Sequence, residues 1–157
     1  MPLFEPTIIY CDASVRNNRC GIGICRLENG APKEVIAKRI LKTDSLRAEA
    51  QAVLTALALA KNQGRKRVRI YTDAQALVSI AQRNRPRSKF ARWFLKQLKR
   101  FRKTMHLRLV YIKGHAGHIW NELCDKLAKN ARWTIQDIPL LLSRWITWLG
   151  HIPITRQ

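Results

Sequence analysis

Acid is what this chain has least of. Ten of its 157 residues are Asp or Glu against thirty Lys and Arg, a formal net charge of +20 at pH 7 with a pI near 11.0. That imbalance argues for a polyanionic partner, most simply nucleic acid, because Lys and Arg that neutralise phosphates release condensed counterions. Attraction to a membrane surface is the weaker reading. Long apolar runs are missing as well, and none nears the roughly twenty residues that span a bilayer. The opening MPLFEPTIIY has neither the basic start nor the cleavage region of a signal peptide, so an intracellular, cytoplasmic setting is expected. Cys-x-x-Cys spacing is absent too. Cys11, Cys20, Cys25 and Cys124 are therefore expected as reduced, mostly buried thiols rather than as zinc ligands or disulfides.

What is present reads as one domain over residues 1–132 followed by an extension over 133–157. The run TIIYCD at 7–12 suits a buried strand, and CGIGICRLE and EVIAKRIL, joined through NGAP at 29–32, read as a hairpin. From Ser45 to Asn62 the spacing turns helical, with Leu46, Ala50, Val53, Leu54, Leu57 and Ala58 on one stripe, Asp44 or Ser45 as cap and Gly64 as stop. A strand at 68–73, a short helix to about Gln82, a turn at Asn84 to Pro86 and a basic helix from Ser88 to Lys103 follow. A strand at 107–113, the loop GHAGH and a helix from Asn121 to Arg132 close the domain. The order predicts an α/β fold, a five-stranded mixed sheet with helices on both faces. The extension is rich in Trp and aliphatic residues and is expected to be helical. It either folds back over the domain, the favoured reading, or docks a partner or a second copy through 137–149.

Four of the scarce carboxylates lie inside or at the ends of apolar segments: Asp12 in YCDAS, Glu49 in RAEAQAV, Asp73 in YTDAQAL and Asp125 in NELCDKLA. An unpaired charge is costly in such places. A single acid at a strand end is more often a turn former or cap than a ligand, but four in compatible positions in so basic a chain reverse that balance. Asp12 and Asp73 end the first and fourth strands, where ligands of open α/β sheets collect, and Glu49 is expected in the first turn of its helix. If those strands are parallel neighbours, the two aspartates sit side by side and need a cation between them. Divalent metal is the natural choice, since Asp and Glu oxygens are the hard ligands that Mg²⁺ prefers.

These segments, and above all YIKGHAGHIWNELCDKLA with its spacing from His115 to Asp125, resemble the type 1 ribonuclease H family over about residues 6–132. The resemblance implies a ribonuclease H-like fold and hydrolysis of the RNA strand of an RNA/DNA hybrid by two Mg²⁺ ions, with Mn²⁺ as a substitute. It implies Asp12, Glu49, Asp73 and Asp125 as metal ligands and His115 as an aid to proton transfer or product departure. His118 is read as a polar loop residue. Ribose recognition in the family falls to polar residues near these acids, which here are Ser14, Asn17, Asn18, Ser45 and Gln75. The chain departs from the family pattern in three places: VRNNRC is short, Leu46 stands where a polar side chain is common, and Ala13 replaces a frequent Gly.

No room exists for a separate basic protrusion between Asp73 and His115. Instead RNRPRSKFARWFLKQLKRFRK carries ten basic residues and no acid. A solvated charged face is the bland interpretation. Uncompensated repulsion favours a phosphate-binding face, with Arg85, Arg87, Lys89 and Arg92 on the DNA strand and Trp93 either stacked on a nucleotide or partly buried. A DNA nuclease or resolvase-like enzyme of the same fold and a non-catalytic binding module are the alternatives. The first usually lacks an acid at the position of Glu49 and the GHAGH segment, and the second gains nothing from four clustered acids.

Overall fold

The computed structural model describes residues 5–133; the readings made for 134–157, including a docking segment at 137–149, lie outside the described residues. Five strands and four helices follow in the order β1 (Thr7–Arg16), β2 (Arg19–Glu28), β3 (Ala31–Ile40), α1 (Ser45–Asn62), β4 (Arg67–Thr72), α2 (Gln75–Arg83), α3 (Lys89–Arg102), β5 (His106–Tyr111) and α4 (Ile119–Ala131). The sheet order is β3-β2-β1-β4-β5. β1, β2 and β3 are antiparallel neighbours, whereas β4 runs parallel to β1 and β5 parallel to β4.

Local chemistry accounts for the element boundaries. Asn17 and Asn18, at φ 49° and 61°, make a two-residue turn between paired Arg16 and Arg19, a backbone that Asn tolerates and tight hairpins demand. The segment VRNNRC is therefore mostly strand, and β1 runs four residues past the expected end. Asn29 and Gly30 repeat the device between β2 and β3. Asp44 caps α1 by accepting from the Arg47 backbone N–H, and Ser88 caps α3 by accepting from that of Ala91. Asn84 in the left-handed region stops α2.

The two faces of the sheet are covered unequally. On one, α1 packs on β1, β2 and β4, and the main core joins Ile9, Ile22, Ile70, Leu57, Phe94 and Leu98. On the other, α4 packs across β1, β2 and β3 over a smaller cluster of Cys25, Val35, Leu123, Cys124 and Leu127. Gly21 and Gly23 make this second packing close. A side chain at Gly23 would run into the carbonyl of Cys124, and one at Gly21 into that of Ala128. Among the described residues no helix is long and apolar enough to cross a membrane. Cys11, Cys20, Cys25 and Cys124 are buried free thiols, as the sequence suggested.

Candidate active site

Parallel pairing of β1 with β4 brings Tyr10 opposite Tyr71 at the end of their shared ladder. Two residues further along each strand stand Asp12 and Asp73, so the register sets these two acids side by side. Glu49 reaches them from α1, where it opens the second turn rather than lying in the first as expected. One carboxylate oxygen from each of Asp12, Glu49 and Asp73 falls within 4.8 Å of the others.

Three acids at that separation cannot all ionise in a dry site without a cation. Burial, with Asp73 beside it, pushes Asp12 up to about 7, although the Ala13 backbone N–H donates to its Oδ1 at 2.8 Å. Burial and the charges of Asp12 and Asp73 push Glu49 up to about 10. Asp73 is also raised by burial, against a hydrogen bond from Asn121 and the nearby charge of His115. Glu49 Oε2 is buried with no hydrogen-bond partner. A hard divalent cation supplies what this arrangement lacks, and oxygen-only donors are what such a cation takes.

Asp125, on α4, stands at the rim of this cluster. Its charge raises both Asp12 and Asp73, yet its Oδ2 accepts from Lys129 Nζ at 2.6 Å, one helical turn on, and it is not one of the three converging acids. His115 lies in the exposed loop after β5, at φ 53°. The residue before it, Gly114, lies close to Asp73, whose Oδ2 would have to move to admit a Cβ there.

The expected substrate contacts fall into separate groups. Gln75 begins α2 beside the cluster, exposed, with its N–H on the Asp73 carbonyl at 2.9 Å. Ser14 is half-buried on β1, while Asn17 and Asn18 lie out on the hairpin turn and Ser45 is exposed on the first turn of α1. Arg85, Arg87, Lys89 and Arg92 are all exposed around the start of α3. There Lys89 lines a groove of about 370 Å³ with Arg47, Gln51, Phe90 and Trp93. Trp93 is 41% exposed, and the Arg47 guanidinium sits 5.5 Å from the Phe90 ring centre.

Reading by motif overlooked Asn121. It is buried, hydrogen-bonded to Asp73 and otherwise unpaired at its Oδ1. A signal was available, because Asn121 stands one helical turn before Asp125 and so shares its face of α4. Lys129, one turn after Asp125, follows the same rule.

Fold and site define a class: α/β proteins whose carboxylates meet just beyond the end of the parallel ladder between two strands, an acidic centre able to hold metal in an otherwise basic molecule. The family model for RNase H matches residues 5–132, and the chain belongs to the RNase H family. A ribonuclease H of Syntrophomonas wolfei is 31% identical over 139 residues, covering 79% of this chain and 94% of that protein. RNase H1 of Halobacterium salinarum superposes with a TM-score of 0.71 at 17% identity, over 81% of this chain and 97% of that one. LC11-RNase H1, solved in complex with an RNA/DNA hybrid, gives a TM-score of 0.65 at 20% identity over 80% and 98%.

Proposed function

We propose that this chain is an endoribonuclease that hydrolyses the RNA strand of RNA/DNA hybrids with two Mg²⁺ ions, for which Mn²⁺ can substitute. The observation that carries this is the convergence of Asp12, Glu49 and Asp73 within 4.8 Å in a chain of the RNase H family. Its relatives bear the name ribonuclease H, and one structural neighbour holds a hybrid. Asp12, Glu49 and Asp73 would hold the metal, with Asp125 joining once its oxygen leaves Lys129. Bound there, the ions supply an activated water and charge neutralisation at the leaving oxygen.

The chain's own groups do the rest. Asn121 orients Asp73 through its hydrogen bond, as outer-shell partners of ligating carboxylates do. His115, on the exposed loop against Asp73, would hand the proton on and help the product leave. Ser14, Asn17, Asn18, Ser45 and Gln75 would face the ribose side, where the 2′-OH separates RNA from DNA. Arg85, Arg87, Lys89 and Arg92 would take phosphates of the DNA strand, beside the groove of Phe90 and Trp93. The four free thiols fit a reducing compartment, the cytoplasm in our reading.

The test follows a labelled RNA strand annealed to DNA, in Mg²⁺, with wild type and Asp73→Asn, beside duplex RNA, duplex DNA and EDTA controls. Metal-dependent cleavage confined to the hybrid is expected, falling below about one hundredth in the variant, since even outer-shell losses cost 10- to 100-fold. Cleavage of duplex DNA instead would move the chain to a resolvase-like activity. Tight binding without cleavage would make it a binding module.

A further inference from the structure

Among the described residues, α4 packs across β1, β2 and β3 and no other helix lies on the same face of β4 and β5. The inner positions of those two strands, Val68, Ile70, Leu107 and Leu109, are buried in the main core. Strand alternation therefore turns Arg67, Arg69 and Tyr71 of β4, with His106, Arg108 and Val110 of β5, toward the open face. The parallel register sets Arg69 directly opposite Arg108, Arg67 opposite His106 and Tyr71 opposite Val110. On this same face, toward the centre of the sheet, Tyr71 stacks on Tyr10 of β1, ring centres 4.8 Å apart and 14° from parallel.

Like charges directly across a ladder are destabilising, and among the described residues no carboxylate pairs with Arg67, Arg69 or Arg108 to relieve them. Residues 134–157 contain one acid, Asp137, against Arg144 and Arg156. Three guanidinium groups beside a pair of stacked aromatic rings match a polyanion that also has flat faces, and stacking combined with phosphate contact is how unpaired polynucleotide is held. The face also leads to the carboxylates. Tyr10 and Tyr71 are two residues from Asp12 and Asp73, and Arg69 is four residues from Asp73, about 13 Å along the strand at ~3.3 Å per residue.

We propose that the open face of β4 and β5, with Arg67, Arg69, Arg108 and the Tyr10–Tyr71 stack, is a second nucleic-acid surface that holds single-stranded polynucleotide running to or from the acidic centre. Binding there needs no catalysis, so the proposal survives if the nuclease reading fails. The duplex-facing groups around α3 are a separate surface.

The test uses the full chain in EDTA and a fluorescent twenty-nucleotide oligouridylate, read by anisotropy across a salt series. Arg69→Glu combined with Arg108→Glu should weaken binding tenfold or more, and Arg69→Gln with Arg108→Gln should lower the slope of log affinity against log salt by about 1.4, since each single-strand phosphate contact contributes about 0.7. Arg69→Lys with Arg108→Lys should retain most of the affinity, which separates phosphate binding from damage to the fold, and Tyr71→Ala should cost about fivefold or more. Binding of a blunt hybrid in EDTA is measured beside it. Unchanged oligouridylate affinity and slope in the Gln and Glu variants would overturn the proposal, and so would an equal loss on the blunt hybrid. Capture of polyglutamate, lost in the Glu variant while oligouridylate binding stays intact, would overturn it in favour of an acidic protein partner.

Discussion

At the scale of single residues, the acidic centre sets a conflict that metal resolves. Asp12 and Glu49 have ordinary values of 3.8 and 4.5, to which an unfolded chain returns, and stand near 7 and 10 in the metal-free fold. Between those limits the folded chain binds more protons than the unfolded one, so stability falls as pH rises, from about 4 through 7 for Asp12 and on toward 10 for Glu49. The metal-free protein is therefore expected to melt at a lower temperature at pH 8 than at pH 5, with Mg²⁺ restoring the loss at pH 8. Asp12→Asn relieves the repulsion. In EDTA at pH 8 the variant should melt about 3 °C or more above wild type, with a weaker response to Mg²⁺. Scanning fluorimetry at both pH values checks this, and a wild type that melts alike at both, with and without the ion, would remove the metal argument. Asn121→Ala is expected to act oppositely on Asp73. Without the hydrogen bond that favours its charged form, Asp73 titrates higher, so the acid limb of the rate profile should move to higher pH and the rate at neutral pH should drop 10- to 100-fold.

At the scale of elements, the close seat of α4 carries Asn121, Asp125 and the face that holds them at the site. A methyl group at Gly23 meets the backbone of α4 at Cys124, and backbone cannot step aside as a flexible side chain can. Gly23→Ala should therefore cost about 1–3 kcal/mol, the usual penalty of overpacking, read from urea unfolding. It should also lower activity by displacing Asp125 and Asn121. The elements themselves were largely legible in the sequence. α1 spans Ser45–Asn62 as expected, capped by Asp44 rather than Ser45, although Leu46 of the expected apolar stripe is exposed. The start of α4 was less legible: it begins at Ile119, two residues early, since His118 precedes it with no side-chain cap to announce it. The continuation of β1 to Arg16 was hidden because paired asparagines read as a loop until partner strands show that they form only its tip. At the site, the placement of Asp12 beside Asp73 was legible on the condition that their strands pair in parallel, which β1 and β4 do. The ion pair that turns Asp125 toward Lys129 and the bond from Asn121 needed three-dimensional packing to appear.

At the scale of the whole molecule, the +20 charge is distributed, and its parts do different work. Arg26 is buried and paired with Glu34, and Arg47 is held by Asp44, so these cations serve the fold. Arg85, Arg87, Lys89 and Arg92 are exposed around the start of α3, and no described carboxylate pairs with them. Phe94 and Leu98 anchor that helix in the core, which fixes Lys89 and Arg92 in place, while Arg85 and Arg87 lie in the loop that leads into it. Fixed charges that meet phosphates appear in the salt dependence, at about 0.9 in slope for each contact with a duplex. Replacing all four by Gln should lower the slope for an RNA/DNA hybrid in EDTA by up to about 3.6 and leave the melting temperature nearly unchanged, because exposed cations contribute little to stability. Anisotropy titrations from low to moderate salt give the slope. A slope unchanged in that variant would show that the hybrid lies elsewhere on the molecule, and the role of the α3 cations would reduce to solvation.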